Sequence, residues 1–414
     1  MPLRRRSTAV IGAGVIGTAI ASRLVRRDKD MLLLDRDEPG GQCSFGNAGH
    51  VATEQVTPLA SPDTLRHAAG YLLRADSPLS IRGRYLPRAL PWLARFAWAS
   101  RPSAFARGTE ALASLNRLAL ESLRRVLRDA ALESQLQTRG HLLLAESAAG
   151  AAALRGSMGF LADHGVPSRW LPAEEVARAV PGIATSVIGA QHFPGSGHVN
   201  DPLQLCRGLA ESFVAAGGEL RRDNVRAIFP EPGGFRLACD TGTLHCSRVV
   251  IAAGAWSRPL VRQLGDPLPL DTERGYHIQA PGYRPGFDLP VASFERKTIM
   301  TPLAGGLRIT GFVEFAGLAL PRSERLLARL QAQLEALLPN AALPPLERWM
   351  GFRPSLPDHL PVIGPSRRHP DAVYAFGHQH LGLTLAGVTA DIVDALLHGQ
   401  APPVDLHPFR CDRF

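Results

Sequence analysis

Two periods of hydrophobic and polar positions run along the chain, and they divide it. Ser7–Ile11 (STAVI) is a short apolar run that predicts a buried strand. After GAGVIG comes a helical stretch to about Arg27, on which Ile16, Ile20 and Leu24 recur at four-residue steps. Met31–Asp35 (MLLLD) is apolar without alternation, as expected of a parallel strand buried on both faces. The stretch 77–103 is rich in Pro, Arg and aromatic residues. A long helix is predicted over about 104–131, where Leu115, Leu118, Leu123 and Val126 mix with charged residues. His141–Ser147 predicts a strand, 151–164 a helix, 187–202 a strand leaving into a Gly-rich loop, and 202–217 a further helix.

From about residue 219 the texture turns to β. ELRRDNVRAIF and FRLACDTGTLHCSRVVIAAGAW predict strands, with a hairpin turn at Asp240–Gly242. Further strands are expected near Gly275–Ala280, Thr298–Pro302 and Leu307–Phe312, then a helix near Glu324–Leu337. The last unit is a strand (AVYAF) followed by a helix from about Thr384. Leu385, Val388, Ile392 and Leu396 form its apolar face, and Gly399 is its stop signal.

The fold class this order implies is α/β plus α+β. A discontinuous Rossmann-like domain (1–75, 195–266 and 349–414) would hold a nucleotide, and an inserted antiparallel-sheet domain (76–194 and 267–348) would complete the site. A chain of 414 residues suits two such domains. Hydrophobic residues make up 45% and charged residues 20%, an ordinary globular balance. The net charge of +9 comes without a dense Lys/Arg cluster, which argues against nucleic acid as a partner. The five cysteines contain no C-x-x-C pair, so no zinc or iron–sulfur site built on cysteine is expected and metal is not called for. The basic start runs directly into the first strand, and no apolar run reaches the ~18–20 residues of a membrane span. A cytoplasmic protein is expected, at most peripheral to the inner face of the membrane. The stretch around Trp92, Phe96 and Trp98 would make that contact, unless it packs on the core.

Gly12, Gly14 and Gly17 form G-x-G-x-x-G between a predicted strand and helix, and the next strand ends in Asp35. The first glycine permits a tight turn, the second a close approach of backbone to pyrophosphate, and the third close packing of helix on sheet. Ile16 lies in the same turn. An acid at Asp35 suits a ribose hydroxyl and disfavours a 2′-phosphate, leaving FAD and NAD. Arg36 is either a solvated charge or a lid over the adenine.

Read together, VIGAGVIGTAIASRL…LLLDRDEPGGQCSFGNAG, GHVNDPLQL, RVVIAAGAWS, ERGYHIQ, ITGFVEFAG, GFRPSLPDHLPVIG and GHQHLGLTLAG resemble the FAD-dependent D-amino-acid dehydrogenases and oxidases, the family of glycine oxidase and sarcosine oxidase. The resemblance runs over essentially the whole chain. It implies non-covalent FAD and oxidation of a carbon bearing an amine, with hydride passing to the flavin and an imine released. The motifs TERGYHIQ and GHQHLGLT are most similar to D-hydroxyproline dehydrogenase subunits, which implies a cyclic secondary D-amino acid such as hydroxy-D-proline or D-proline. Electrons would leave to a partner subunit, a quinone or O₂. An electron-transferring flavin subunit and a glycine/sarcosine-type oxidase are the alternatives.

The same resemblance assigns roles. Ser44, Asn47, Ala48 and Gly49 would lie along the flavin and its phosphates, with Ser44 and Asn47 as polar handles. His50 faces either the ring or solvent. Val225 would hold the adenine, and Ala253, Gly254 and Trp256 the adenosine and phosphates, core packing being the other reading of Trp256. Gly364, Gly377, Gly382, Leu383 and Thr384 would line the flavin, with a helix start near its pyrimidine. Arg353 would clamp the substrate carboxylate, a task that suits its planar fork. Its alternative is a salt bridge to Asp358. Tyr276 and His277 would face the substrate. His380 stands where some relatives have a second arginine, so a two-arginine clamp is not expected. Cys43 is read as a small buried residue rather than a flavin attachment.

Overall fold

The computed structural model describes residues 5–73 and 77–414. Its first sheet has a parallel centre in the order Glu219–Arg222, Met31–Asp35, Arg5–Ile11, Gly242–Ile251 and Ala372–Phe376. Side chains alternate across this centre. Val10, Met31 and Leu33 enter one core, while Ala9, Ile11, Leu32 and Leu34 enter the other. That two-sided burial is why Met31–Leu34 carry no polar residue before Asp35 at the strand's end. The antiparallel ribbon Val225–Glu231 and Gly234–Cys239 continues the sheet at one side, and Val362–Pro365 pairs with Ala372–Phe376.

Helices Val15–Leu24, Gly382–Leu397, Pro202–Ala215 and Pro102–Asp129 share the first core. Pro102–Asp129 falls in the stretch 76–194 that the sequence groups with the inserted domain, yet Leu112, Leu115, Leu123 and Val126 pack with Ile20 and Ile392. It comes so close to Gly387 that a Cβ there would lie 2.3 Å from the Leu123 nitrogen. The expected boundary at 75/76 lies outside the described residues.

The second sheet has nine strands. The order runs Glu347–Ser355, Asp271–Pro281, Gly306–Phe315, Thr298–Leu303, Val291–Ser293, His141–Ala145, Gly189–Phe193 and Arg169–Pro172, with Leu79–Ile81 beside Gly306–Phe315. Helix Glu324–Leu337 covers one face, burying Leu327, Leu330, Leu334 and Leu337 against Ile278 and Ile309. The other face looks toward the loop 40–50. A three-stranded ribbon of His50–Val51, Gly197–Val199 and Leu136–Gln137 joins the end of that loop to the second sheet.

Two elements form against residues that disfavour them. Helix Leu86–Ala99 forms despite an internal Pro91, and Trp92 packs inward, stacked on Phe96 at 5.6 Å and tilted against Phe315 at 4.9 Å. Strand Glu347–Ser355 forms in GFRPS, where Gly and Pro read as a loop.

Candidate active site

The first strand hands over to its helix through Gly12, whose φ of +107° excludes other residues. A Cβ at Gly17 would stand 1.7 Å from the Gly12 carbonyl oxygen, so helix and turn touch backbone to backbone. Gly14 precedes the helix without a side-chain cap, and its first turn has no acid. The positive end of the helix dipole is therefore not offset by a local carboxylate. Asp35 steadies this turn: one carboxylate oxygen accepts from the Ala13 N–H at 2.6 Å, the other from Asp37 N–H at 3.0 Å. Burial raises the Asp35 pKa, and these backbone bonds oppose the shift.

A cavity of about 420 Å³ starts at this turn. At one end lie Asp35, Arg36, Val225 and Trp256. The Arg36 guanidinium sits 3.9 Å above the centre of the Trp256 ring, so Trp256 is part of the cavity wall. The middle is formed by Gly12, Gly14, Ile16, Ser44, Ala253 and Gly254, and the far end by Asn47, Gln379, Gly382 and Leu383. Helix Gly382–Leu397 also begins with neither a side-chain cap nor an acid in its first turn. Two helix N-termini without an acid in their first turn, and a strand-end carboxylate, along one groove fit a dinucleotide with a charged middle.

Six expected positions have other placements. Gly17 packs the turn from below, and Ala48 and Gly364 are not among the cavity-lining residues. Gly49 backs onto Leu303 and the Val199 carbonyl, and Gly377 onto Leu356. The Thr384 hydroxyl accepts from Ala52 N–H at 2.9 Å, tying the helix start to the loop's exit. Ser44 and Asn47 do line the cavity, but not as free handles. Ser44 Oγ accepts from Val15 N–H at 3.0 Å, and Asn47 Oδ1 from Gly49 N–H at 2.7 Å. Short polar side chains in a tight loop satisfy their own backbone first.

The loop is held from the second sheet. Arg308, buried in Gly306–Phe315, donates to the carbonyls of Phe45 at 2.8 Å and Asn47 at 2.7 Å, and to Gln279 Oε1 at 2.8 Å. Burial pulls its pKa down to about 10. The His277 ring stacks on Trp349 at 4.9 Å and its Nδ1 donates to the Gly46 carbonyl at 3.2 Å. Burial, then the Arg308 charge, push its pKa down to about 3, so the ring is neutral. A Cβ at Gly46 would lie 1.8 Å from the Trp349 ring. Sequence reasoning missed Arg308 and Trp349. The available signal was an arginine inside the apolar strand GLRITGF, since a buried cation must have partners.

Cross-strand pairs Trp349/His277, Gly351/Gly275 and Arg353/Glu273 share one face of the sheet. Arg353 folds over Gly275, where a Cβ would come within 2.4 Å of its Nη2, while the Trp349 ring covers Gly351. The Arg353 Nη1 donates to the carbonyl of Phe312 at 3.3 Å, a residue held at φ +63°. No carboxylate pairs with it among the described residues. Asp358 is instead bound by Arg413 at 2.6 Å. The Arg353 charge is felt by Cys43 and His380. Burial pushes the Cys43 thiol up to about 11, with Arg353 opposing. Burial, with Arg353 adding to it, lowers His380 to about 3, and His380 Nε2 hydrogen-bonds Gln55 Oε1. A cation with carbonyl but no carboxylate contact, between the loop and the segment 378–380, is suited to an anionic ligand.

Tyr276 requires a correction. Its hydroxyl donates to Glu314 Oε2 at 2.6 Å and accepts from Ser323 N–H at 3.1 Å, on the helix side of the sheet. Neighbours in a strand face opposite ways, so His277 facing the loop sends Tyr276 into the core.

Comparison with known proteins gives this geometry a family. The model for "FAD dependent oxidoreductase" (DAO) matches residues 7–396. A D-amino-acid oxidase of Bradyrhizobium diazoefficiens is 34% identical over 438 aligned positions, covering 99% of each chain. A D-amino acid dehydrogenase 2 of Ralstonia nicotianae is 31% identical, covering 98% of this chain and 99% of its own. Glycine oxidase from Geobacillus kaustophilus has the same fold, with a TM-score of 0.76 at 23% identity and 99% coverage of both chains. The second loop and the two helix starts on one cavity thus have a common explanation, and the chain belongs to the DAO family of FAD-dependent oxidoreductases.

Proposed function

We propose that this FAD-dependent oxidoreductase dehydrogenates a D-amino acid at the carbon bearing the amine. The observation that carries the reading is Arg353, a cation without a carboxylate partner beside the flavin-side loop. The names of the two curated relatives support the substrate class. FAD, when bound, supplies the acceptor for the hydride.

The chain's own contribution is placement. Gly12, Gly14 and the first helix turn would hold the pyrophosphate, Asp35 the ribose, and the start of helix Gly382–Leu397 the negative charge that builds on the reduced ring. Arg353 would grip the carboxylate in a fork and so fix which C–H points at the ring. Its charge also favours loss of the ammonium proton from the bound amine, as a nearby cation does. The neutral His277 and His380 add no opposing charge, and no side chain is required as a base. Cys43 lines the cavity, but a thiol held up at about 11 is a poor nucleophile, which supports non-covalent FAD.

The substrate we favour is a cyclic secondary D-amino acid, hydroxy-D-proline or D-proline, with electrons leaving to a partner subunit or quinone. The oxidase name of one relative favours O₂ as a second outlet. Among the described residues no helix is long and apolar enough to cross a membrane. Helix Leu86–Ala99 exposes Leu86, Leu90 and Trp98, a face suited to peripheral contact.

Anaerobic mixing with a panel of D- and L-amino acids tests the reading. Bleaching of the flavin by D-amino acids, with D-proline or hydroxy-D-proline among the fastest, is expected. A flavin that stays oxidised with every D-amino acid and reduces with L-amino acids would overturn it.

A further inference from the structure

The loop 40–50 ends in His50, and the flavin site does not use this residue. Its ring lies in a buried group with Glu54 and His141, exposed by only 7%, 8% and 3%. His50 Nε2 is 3.5 Å from Glu54 Oε1, and His141 Nδ1 is 3.4 Å from the same oxygen. None of these three atoms has a hydrogen-bond partner among the described residues. All three lie within 4.8 Å of one another.

Three buried, unbonded ligand atoms gathered within 4.8 Å of one another are costly unless something joins them. The spacing indicates what. A tetrahedral ion with bonds of about 2.0–2.1 Å has edges of about 3.3–3.4 Å between ligand atoms, close to the two contacts made by Glu54. Two imidazoles and a carboxylate suit zinc, and imidazole nitrogen disfavours magnesium and calcium. The supporting contacts are those of a held ligand set. Ser196 Oγ donates to the other oxygen of Glu54. The His141 ring stacks on Phe193 at 5.7 Å, which fixes its plane. His198, opposite His50 in the small ribbon, adds a third buried imidazole whose Nδ1 is also unbonded.

We propose that His50, Glu54 and His141 form a binding site for a divalent late transition ion, zinc in the first place. The ion braces the fold. It joins the exit of the flavin-side loop to strand His141–Ala145 of the second sheet. The braced segment is tied to the start of helix Gly382–Leu397 through Ala52 N–H to Thr384 Oγ1, and to the turn before it through Gln55 to His380.

The test uses the full-length protein with FAD bound, purified without a metal-affinity tag. After incubation with zinc chloride and gel filtration, elemental analysis should find about one zinc per chain. X-ray absorption of that sample should show two imidazoles, oxygen ligation and no sulfur. The thermal midpoint should rise by several degrees over chelator-treated protein. Glu54→Gln and His141→Gln should each reduce zinc to background and abolish the shift. Zinc-free wild-type protein after incubation, thiolate or all-oxygen ligation, or unchanged zinc in both variants would each overturn the proposal. The wild-type spectrum decides the matter even if a variant does not fold.

Discussion

At its Asp35 end the cavity is walled largely by backbone: a glycine turn, a helix start and a strand end. Beside the cavity, around Arg353, the wall is made of side chains carried on three strands of another sheet. The first end comes mainly from one continuous stretch, 5–50, with the segment 223–226 and the turn after Gly242–Ile251. The second comes from Asp271–Pro281, Gly306–Phe315 and Glu347–Ser355. A backbone site tolerates few changes but is fixed as soon as the turn folds. A side-chain site can be altered one group at a time, which lets one cofactor domain serve different substrates. Arg308, reaching from the second sheet to two carbonyls of the flavin-side loop, is where the two constructions meet.

The sharpest way to break this contrast is at Gly17. Gly17→Ala drives a methyl into the Gly12 carbonyl and should lose bound FAD altogether, with destabilisation of about 1–3 kcal/mol or more. The flavin-to-protein absorbance ratio and a thermal melt check it; a yellow, stable Gly17→Ala protein would mean the turn is not the cofactor's seat. Arg308→Met leaves two loop carbonyls and Gln279 without their donor. It should cost about 3 kcal/mol and weaken FAD, read by urea unfolding and by FAD release on dilution. Tyr276→Phe should lower stability by about 1.5–3 kcal/mol, because Glu314 loses a donor, yet leave KM for the amino acid unchanged. A raised KM there would restore the substrate role that the sequence suggested.

The smallest effect concerns pH. His277 is neutral when folded, with its pKa pushed down to about 3, and titrates near the ordinary imidazole value when unfolded. Below that value the unfolded chain binds a proton that the folded one does not. Stability is therefore full above pH ~6.5 and falls as pH drops toward 3. One pH unit below the ordinary value the loss from this group is about 1.4 kcal/mol. His277→Gln should flatten the acid limb of urea midpoints by that amount relative to wild type. An unchanged acid limb would place the imidazolium, not the imidazole, against Gly46.

The same contrast explains what the sequence disclosed. Gly12, Gly14, Gly17 and Asp35 act through local spacing, and the cavity forms around them. MLLLD showed its two-sided burial because both faces demand apolar residues. Arg353 was expected as the carboxylate clamp from the motif around it, and its substitution tests that role. The placement of Tyr276 was not legible, because period-two alternation says that neighbours part ways but not which one faces the partner sheet. Asn47 and Ser44 were read as ligand groups because their competing bonds, to Gly49 and Val15, depend on loop geometry. Helix Leu86–Ala99 bears out the core-packed reading of the Trp92 stretch despite Pro91, whereas Glu347–Ser355 was obscured by its glycine and proline. His50 looked indifferent because Glu54 is near in sequence but His141 is not.

Arg353→Ala tests the division of labour most directly, through two readouts on one sample. FAD content and flavin spectrum should match wild type, while the D-amino-acid concentration needed for anaerobic flavin reduction rises about 100-fold, the factor expected for a lost charged contact of about 3 kcal/mol. Loss of FAD with unaltered substrate response in the reconstituted variant would contradict the account.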